Sequence, residues 1–177
     1  METEQGKVLE GLQHAIQMET DGKEYYLKTS QQTHNEPGKK LLQSLAAEED
    51  NHLRTIVQIY DTIKNRKGWP DTHFQPDAGR WLRTVFMKAL EAGSTAVKSP
   101  AGELRAVETA MDMENKTLDF YAGQSKQAVF KEEKEFYELL AGEEREHHLI
   151  LLDYYEYLKN PAGWFVNKER HSLDGGS

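Results

Sequence analysis

The segment Leu45-Ala46-Ala47-Glu48-Glu49-Asp50-Asn51-His52 returns ninety-five positions later as Leu140-Ala141-Gly142-Glu143-Glu144-Arg145-Glu146-His147. At the same offset Ala15-Ile16-Gln17-Met18-Glu19 returns as Ala110-Met111-Asp112-Met113-Glu114. Each of these glutamates is followed seven residues on by a tyrosine, Tyr26 and Tyr121. The chain therefore holds two copies of one unit: a helix bearing a glutamate, then a helix bearing Glu-x-x-His. Residues three apart are neighbours on one helix face, so Glu49 with His52, and Glu144 with His147, can reach a common point. Two such units make the ligand set of a carboxylate-bridged metal pair inside a four-helix bundle.

Helical periodicity supports that arrangement. Apolar residues spaced three and four apart define four long segments. The first, about Glu4 to Thr33, stripes Val8, Leu12, Ala15, Ile16, Glu19 and Tyr26. The second begins at Asn35-Glu36-Pro37, where Asn suits a cap and Pro the first turn. It stripes Leu42, Leu45, Glu49, His52, Ile56, Tyr60 and Ile63, and stops at Gly68 and Pro70. The third, about Ala101 to Ala128, stripes Val107, Ala110, Met111, Glu114, Leu118 and Tyr121. The fourth, Lys131 to Lys159, stripes Phe136, Leu140, Glu144, His147, Leu151 and Tyr155.

The connections are unequal. Short turns join the first two helices and the last two, so each pair is expected to be an antiparallel hairpin. Between the pairs runs a crossover, about residues 68–100, with one short helix expected at Arg80 to Ala92. Two hairpins joined by a long crossover are the ferritin-like, all-α four-helix bundle. The expected organisation is a bundle over residues 1–160. The tail, 161–177, packs back through Trp164 and Phe165 before fraying at Asp174-Gly175-Gly176-Ser177.

Charge explains why these residues imply metal. Glu19 and Glu114 sit mid-stripe, where an isolated carboxylate must find a partner or become neutral. With Glu49 and Glu144, four carboxylates converge on one core, and no lysine or arginine shares their stripes. Two divalent cations cancel that charge, with His52 and His147 as neutral ligands. Carboxylate and imidazole without sulfur suit iron or manganese and disfavour structural zinc.

The bulk numbers are compatible. The 177 residues suit one domain, and a net charge of −8 disfavours nucleic acid and anionic membranes as partners. No apolar run is long enough to span a bilayer, and the acidic N-terminus shows no secretory pattern. The expected setting is cytoplasmic. With no cysteine, thiolate sites and thiol nucleophiles are excluded.

At these motifs the chain resembles the ferritin-like superfamily, and most closely its rubrerythrin branch, over nearly its whole length. The resemblance implies metal ligands Glu19, Glu49, His52, Glu114, Glu144 and His147 holding two iron ions. Glu49 and His52 would serve one, Glu144 and His147 the other, with the bridging glutamates unassigned; manganese or a mixed pair suits the same donors. Two departures stand out. Typical rubrerythrins carry a cysteine-ligated rubredoxin domain, and this chain has no cysteine. They also carry another carboxylate one turn from the third-helix ligand, where this chain has Met111 and Thr117. The ligand count is then that of bacterioferritin, and peroxide and dioxygen both stay open as oxidants.

Three functions remain open. The leading one is a rubrerythrin-like di-iron oxidoreductase, oxidised by hydrogen peroxide or dioxygen and re-reduced by an external electron-donor protein, in a homodimer. The second is iron storage or delivery with a ferroxidase site. The third is a non-enzymatic metal-binding bundle.

The remaining residues have simpler expectations. Tyr26 and Tyr121 read equally as core tyrosines or as partners of the ligands. Glu48 and Glu143 read as solvated, with the alternative that each orients the histidine one turn on. His148 lies about 100° around the helix from His147 and reads as a surface residue. His14, His34, His73 and His171 show no pattern. Trp69, Trp81 and Trp164 are expected to anchor the crossover and tail, and Lys131 to Glu135 to be a solvated helix start.

Overall fold

The computed structural model describes residues 4–65, 68–70, 74–92 and 100–166. It contains α1 (Glu4–Gln32), α2 (Glu36–Lys64), α3 (Arg80–Ala92), α4 (Pro100–Gln127) and α5 (Lys131–Lys159), followed by a helical turn at 161–166. α1, α4 and α5 match the periodic segments to within a residue, and α2 ends at Lys64, short of the expected stop at Gly68. α1 packs along α2 and α4 along α5 as two hairpins, which meet through α1 with α4 and α2 with α5, while α3 lies on α2. No helix among the described residues is long and apolar enough to cross a membrane.

The core divides into two apolar clusters. One gathers Val8, Leu12, Ala15, Ile56, Ile59, Tyr121, Phe136, Tyr137 and Leu140. The other gathers Tyr26, Leu41, Leu42, Leu45, Val107, Ala110, Ile150, Leu151 and Tyr154. The ninety-five-residue offset exchanges the clusters: Leu12 and Ala15 lie in the first, their counterparts Val107 and Ala110 in the second. Leu45 and Leu140 are exchanged in the opposite sense. The two copies therefore run in opposite directions along the bundle, with an approximate two-fold between them. The glutamates and histidines of the repeat fall between the clusters, at mid-bundle.

Several local expectations change. Asn35 precedes α2 but makes no side-chain cap; its amide instead donates to Glu103 on α4 at 2.5 Å. In α5 the buried position at the far end is filled by Tyr154, with Tyr155 half-buried. Glu133 is buried rather than solvated, because Oε2 accepts the amides of Val129 (3.1 Å) and Phe130 (3.4 Å) ahead of α5. Such a reach back satisfies orphan amide donors at a helix start. Gly38 is required by packing, since a Cβ there would lie 1.8 Å from the Tyr154 hydroxyl oxygen.

Of the tryptophans, Trp164 is buried in the cluster around Phe86 and Tyr157. Trp69 packs on Phe136, and Trp81 is 43% exposed, beside the crossover residues Phe74 and Asp77 with which it lines a cavity. Phe74 lies edge-on to both His52 and Phe136, so the crossover covers the histidine side of mid-bundle. Residues 167–177, with the expected frayed end and His171, lie outside the described residues, as do His73 and parts of the crossover.

Candidate metal centre

Each helix contributes to the polar layer from the middle of its apolar stripe: Glu19 from α1, Glu49 and His52 from α2, Glu114 from α4, Glu144 and His147 from α5. All six side chains are buried. His52 Nδ1 lies 3.3 Å from Glu19 Oε2, 3.4 Å from Glu144 Oε1 and 3.6 Å from Glu49 Oε2. His147 Nδ1 lies 3.3 Å from Glu49 Oε1, 3.7 Å from Glu114 Oε2 and 3.9 Å from Glu144 Oε2. The two imidazoles stack with centroids 5.5 Å apart.

Two overlapping groups result, Glu19–Glu49–His52–Glu144 and Glu49–Glu114–Glu144–His147, each with potential ligand atoms within 4.8 Å of one another. Glu49 and Glu144 belong to both, and each presents one oxygen to each histidine. Glu19 and Glu114 belong to one group apiece.

The chemistry of this layer fits cations. Both ring nitrogens of His52 and of His147, with Glu19 Oε2 and Glu144 Oε1, are buried without a hydrogen bond. Interiors leave few such atoms, and here they converge. Among the described residues no lysine or arginine pairs with any of the four carboxylates.

The metal-free cluster gathers protons instead. Burial pushes the Glu19 carboxyl up to about 8, with Glu49 adding to the rise and His52 opposing it. Burial and the carboxylates of Glu114, Glu49 and Glu19 hold Glu144 well above the usual range. Burial acts upward on Glu49 too, but the neighbouring Glu19 carboxyl and both imidazoles outweigh it and hold Glu49 well below. On the imidazoles burial favours the neutral form; Glu19 and Glu49 around His52, and Glu114 and Glu49 around His147, reverse this and raise both strongly.

A family model for rubrerythrin matches residues 10–155, spanning both hairpins and the crossover. The chain belongs to the rubrerythrin family. Searches of curated proteins and of solved structures each return no match.

In this rubrerythrin-family bundle the two tyrosines reach across the hairpins. Tyr26 on α1 donates to Glu114 Oε1 on α4, and Tyr121 on α4 donates to Glu19 Oε1 on α1. Burial, then the facing glutamates, keeps both phenols protonated as donors. Each bond leaves the Oε2 of its glutamate facing the cluster.

The flanking acids depart from expectation. Glu143 is buried, and burial raises its carboxyl against the pull of His147 and His52. Glu48 is half-buried, and a carboxylate oxygen of it comes within 4.8 Å of ring nitrogens of both His52 and His147. Both acids line a cavity of about 620 Å³ with His52, Phe74, Asp77 and Trp81. His148 is half-buried, its Nδ1 3.4 Å from the Met111 carbonyl oxygen. The buried Glu103, bonded to Asn35 and Tyr154, was not flagged by the repeat; its counterpart Val8 lies on a core stripe, and that mismatch is the signal that marks it.

Proposed function

We propose that this protein is a di-iron oxidoreductase in which two ferrous ions are oxidised by hydrogen peroxide or dioxygen and re-reduced by an external protein donor. The single observation behind this reading is that Glu49 and Glu144 belong to both ligand groups. One iron would take Glu19 and His52, the other Glu114 and His147, with Glu49 and Glu144 held between them. This reading gives Glu49 and Glu144 the bridging role that the sequence left unassigned. When bound, the iron pair would supply the two electrons that reduce the oxidant.

The chain's own residues set the conditions for that chemistry. Four carboxylates against two divalent ions leave the buried layer neutral. Nδ1 of each imidazole faces the carboxylates, so with metal held there Nε2 would carry the proton and need an acceptor. Tyr26 and Tyr121 fix the terminal glutamates. The sequence contains no cysteine, so a thiol relay is missing from these residues and outside electrons are required.

Purified protein from an iron-replete culture should contain two iron ions per chain. Its ferrous form should consume peroxide or dioxygen, develop near-ultraviolet absorption, and stall until a reductant is added. Glu114→Ala should abolish the reaction. Glu108→Ala should not, since that side chain bonds Tyr155 in an exposed pair. A solution mass matching a homodimer supports this reading, whereas a cage supports storage. Iron-loaded protein inert to both oxidants would leave a structural metal bundle.

A further inference from the structure

The polar layer has two sides, and they differ. On the histidine side, the 620 Å³ cavity reaches His52 but none of the four central carboxylates. The stacked imidazole rings and the edge of Phe74 stand between that cavity and the carboxylates. On the other side, between α1 and α4, a cavity of about 10 Å³ touches Glu19, Glu49, Glu114 and Glu144 together. That volume is room for about one water-sized molecule. A small oxidant that is to meet both shared glutamates has its space here.

The outer wall of this small cavity includes Met18, Met113, Gly22 and Thr117. Met18 and Met113 are the same position of the two repeats, as are Gly22 and Thr117. Both methionines are half-buried. Thr117 turns its hydroxyl back to the Met113 carbonyl at 3.1 Å, which leaves the thioethers as the adaptable groups at the opening. Methionine is unbranched and flexible enough to move aside. In a chain without cysteine it is also the side chain most readily oxidised by peroxide.

We propose that Met18 and Met113 form the port through which peroxide reaches the carboxylate side, and that they are the chain's preferred oxidation site when reductant is exhausted. The step is oxygen-atom transfer. A thioether sulfur attacks one oxygen of hydrogen peroxide, an S–O bond forms, and the O–O bond breaks. Sulfur loses two electrons, and the second oxygen leaves as water with both protons. The sulfoxide is polar and larger, so it narrows an opening that has about one water of room and slows further access.

This inference rests on the oxidoreductase reading, and the test separates the two. Ferrous-loaded protein is treated with several equivalents of hydrogen peroxide per iron pair without a donor, so that peroxide remains after the iron is oxidised, and each methionine is quantified by peptide mass. Met87 (37% exposed) and the half-buried Met111 are internal references. In loaded protein, sulfoxide at Met18 and Met113 should exceed that at the more exposed Met87 several-fold. In Met18→Leu/Met113→Leu, total sulfoxide after the same treatment should fall several-fold, to what the remaining methionines contribute. Peroxide consumed with Met87 still leading, or a double variant with undiminished sulfoxide, overturns the port alone. Peroxide left unconsumed by iron-loaded protein overturns the oxidoreductase reading and the port with it.

Discussion

Tyr121 of the second hairpin donates its hydroxyl to Glu19 of the first, and Tyr26 reciprocates toward Glu114. Each copy of the repeat thus completes the hydrogen bonding of the other, so the hairpins are joined by their polar layer as well as by apolar packing. Removing the hydroxyl leaves a buried carboxylate oxygen without its donor, at a cost of about 1–3 kcal/mol. Tyr121→Phe should lower the denaturation midpoint and weaken metal binding by roughly 10–100-fold, as loss of a partner behind a metal ligand commonly does. Tyr26→Phe should match it, because the geometry is reciprocal. Wild-type affinity in both variants would contradict this role.

Glu48 gives a sharper test, because it lies close to two imidazoles at once. With Nδ1 turned to the carboxylates, each Nε2–H would be a buried donor once metal is held, and Glu48 is the nearby carboxylate that both can approach. Glu48→Ala should weaken metal binding by roughly 10–100-fold. Glu48→Gln, which keeps an accepting oxygen, should recover part of that loss. Competition titration with a chelator measures both, and equal losses for Ala and Gln would argue against an acceptor role.

Metal removal should make stability strongly pH-dependent between pH 5 and 8. Without metal, the folded Glu19 carboxyl sits at about 8 against an ordinary value of 4.5, so the folded state holds a proton that the unfolded chain has released. Stability then falls as pH rises across that window. The raised imidazoles act in the same direction: their contribution is present below 6.5 and is lost as pH rises through their folded values. Metal must displace these protons, so its affinity falls as pH falls. Loaded protein should melt well above stripped protein at pH 7, and the gap should narrow toward pH 5. Coincident melting curves at pH 7 would contradict this.

The repeat makes the six central residues and four long helices legible because both follow helical periodicity. What it obscures is the difference between Glu48 and Glu143, which occupy equivalent positions but are half-buried and buried respectively. The cause lies in the crossover that follows α2. Phe74 from that segment packs on His52, and Asp77 adds charge beside Glu143. The approximate two-fold is thereby broken on the histidine side. Glu133 was obscured differently: its reach back to Val129 and Phe130 follows no Ser/Thr capping pattern, since Phe130 stands at the cap.

Glu103 supplies the last prediction. In the first turn of α4 a glutamate ordinarily reads as solvated and favourable to the helix dipole. Here it is buried between hairpins and accepts hydrogen bonds from Tyr154 and Asn35. Burial raises its carboxyl, and those two donors oppose the rise without cancelling it. The folded state therefore keeps this proton to higher pH than the unfolded chain. Stability is lost as pH rises from about 4.5 through the folded value, after which the loss is complete. Glu103→Gln removes the titration, so its stability relative to wild type should improve across that window and then level off. The gain should be about 1.4 kcal/mol for each unit separating the folded and unfolded values. Glu103→Val, which copies Val8 from the other repeat, should instead cost about 1–3 kcal/mol by depriving the buried Tyr154 hydroxyl of its acceptor. Urea denaturation of equally metal-loaded samples over a pH series measures both differences. Parallel profiles for wild type and Glu103→Gln would show that this carboxyl titrates normally.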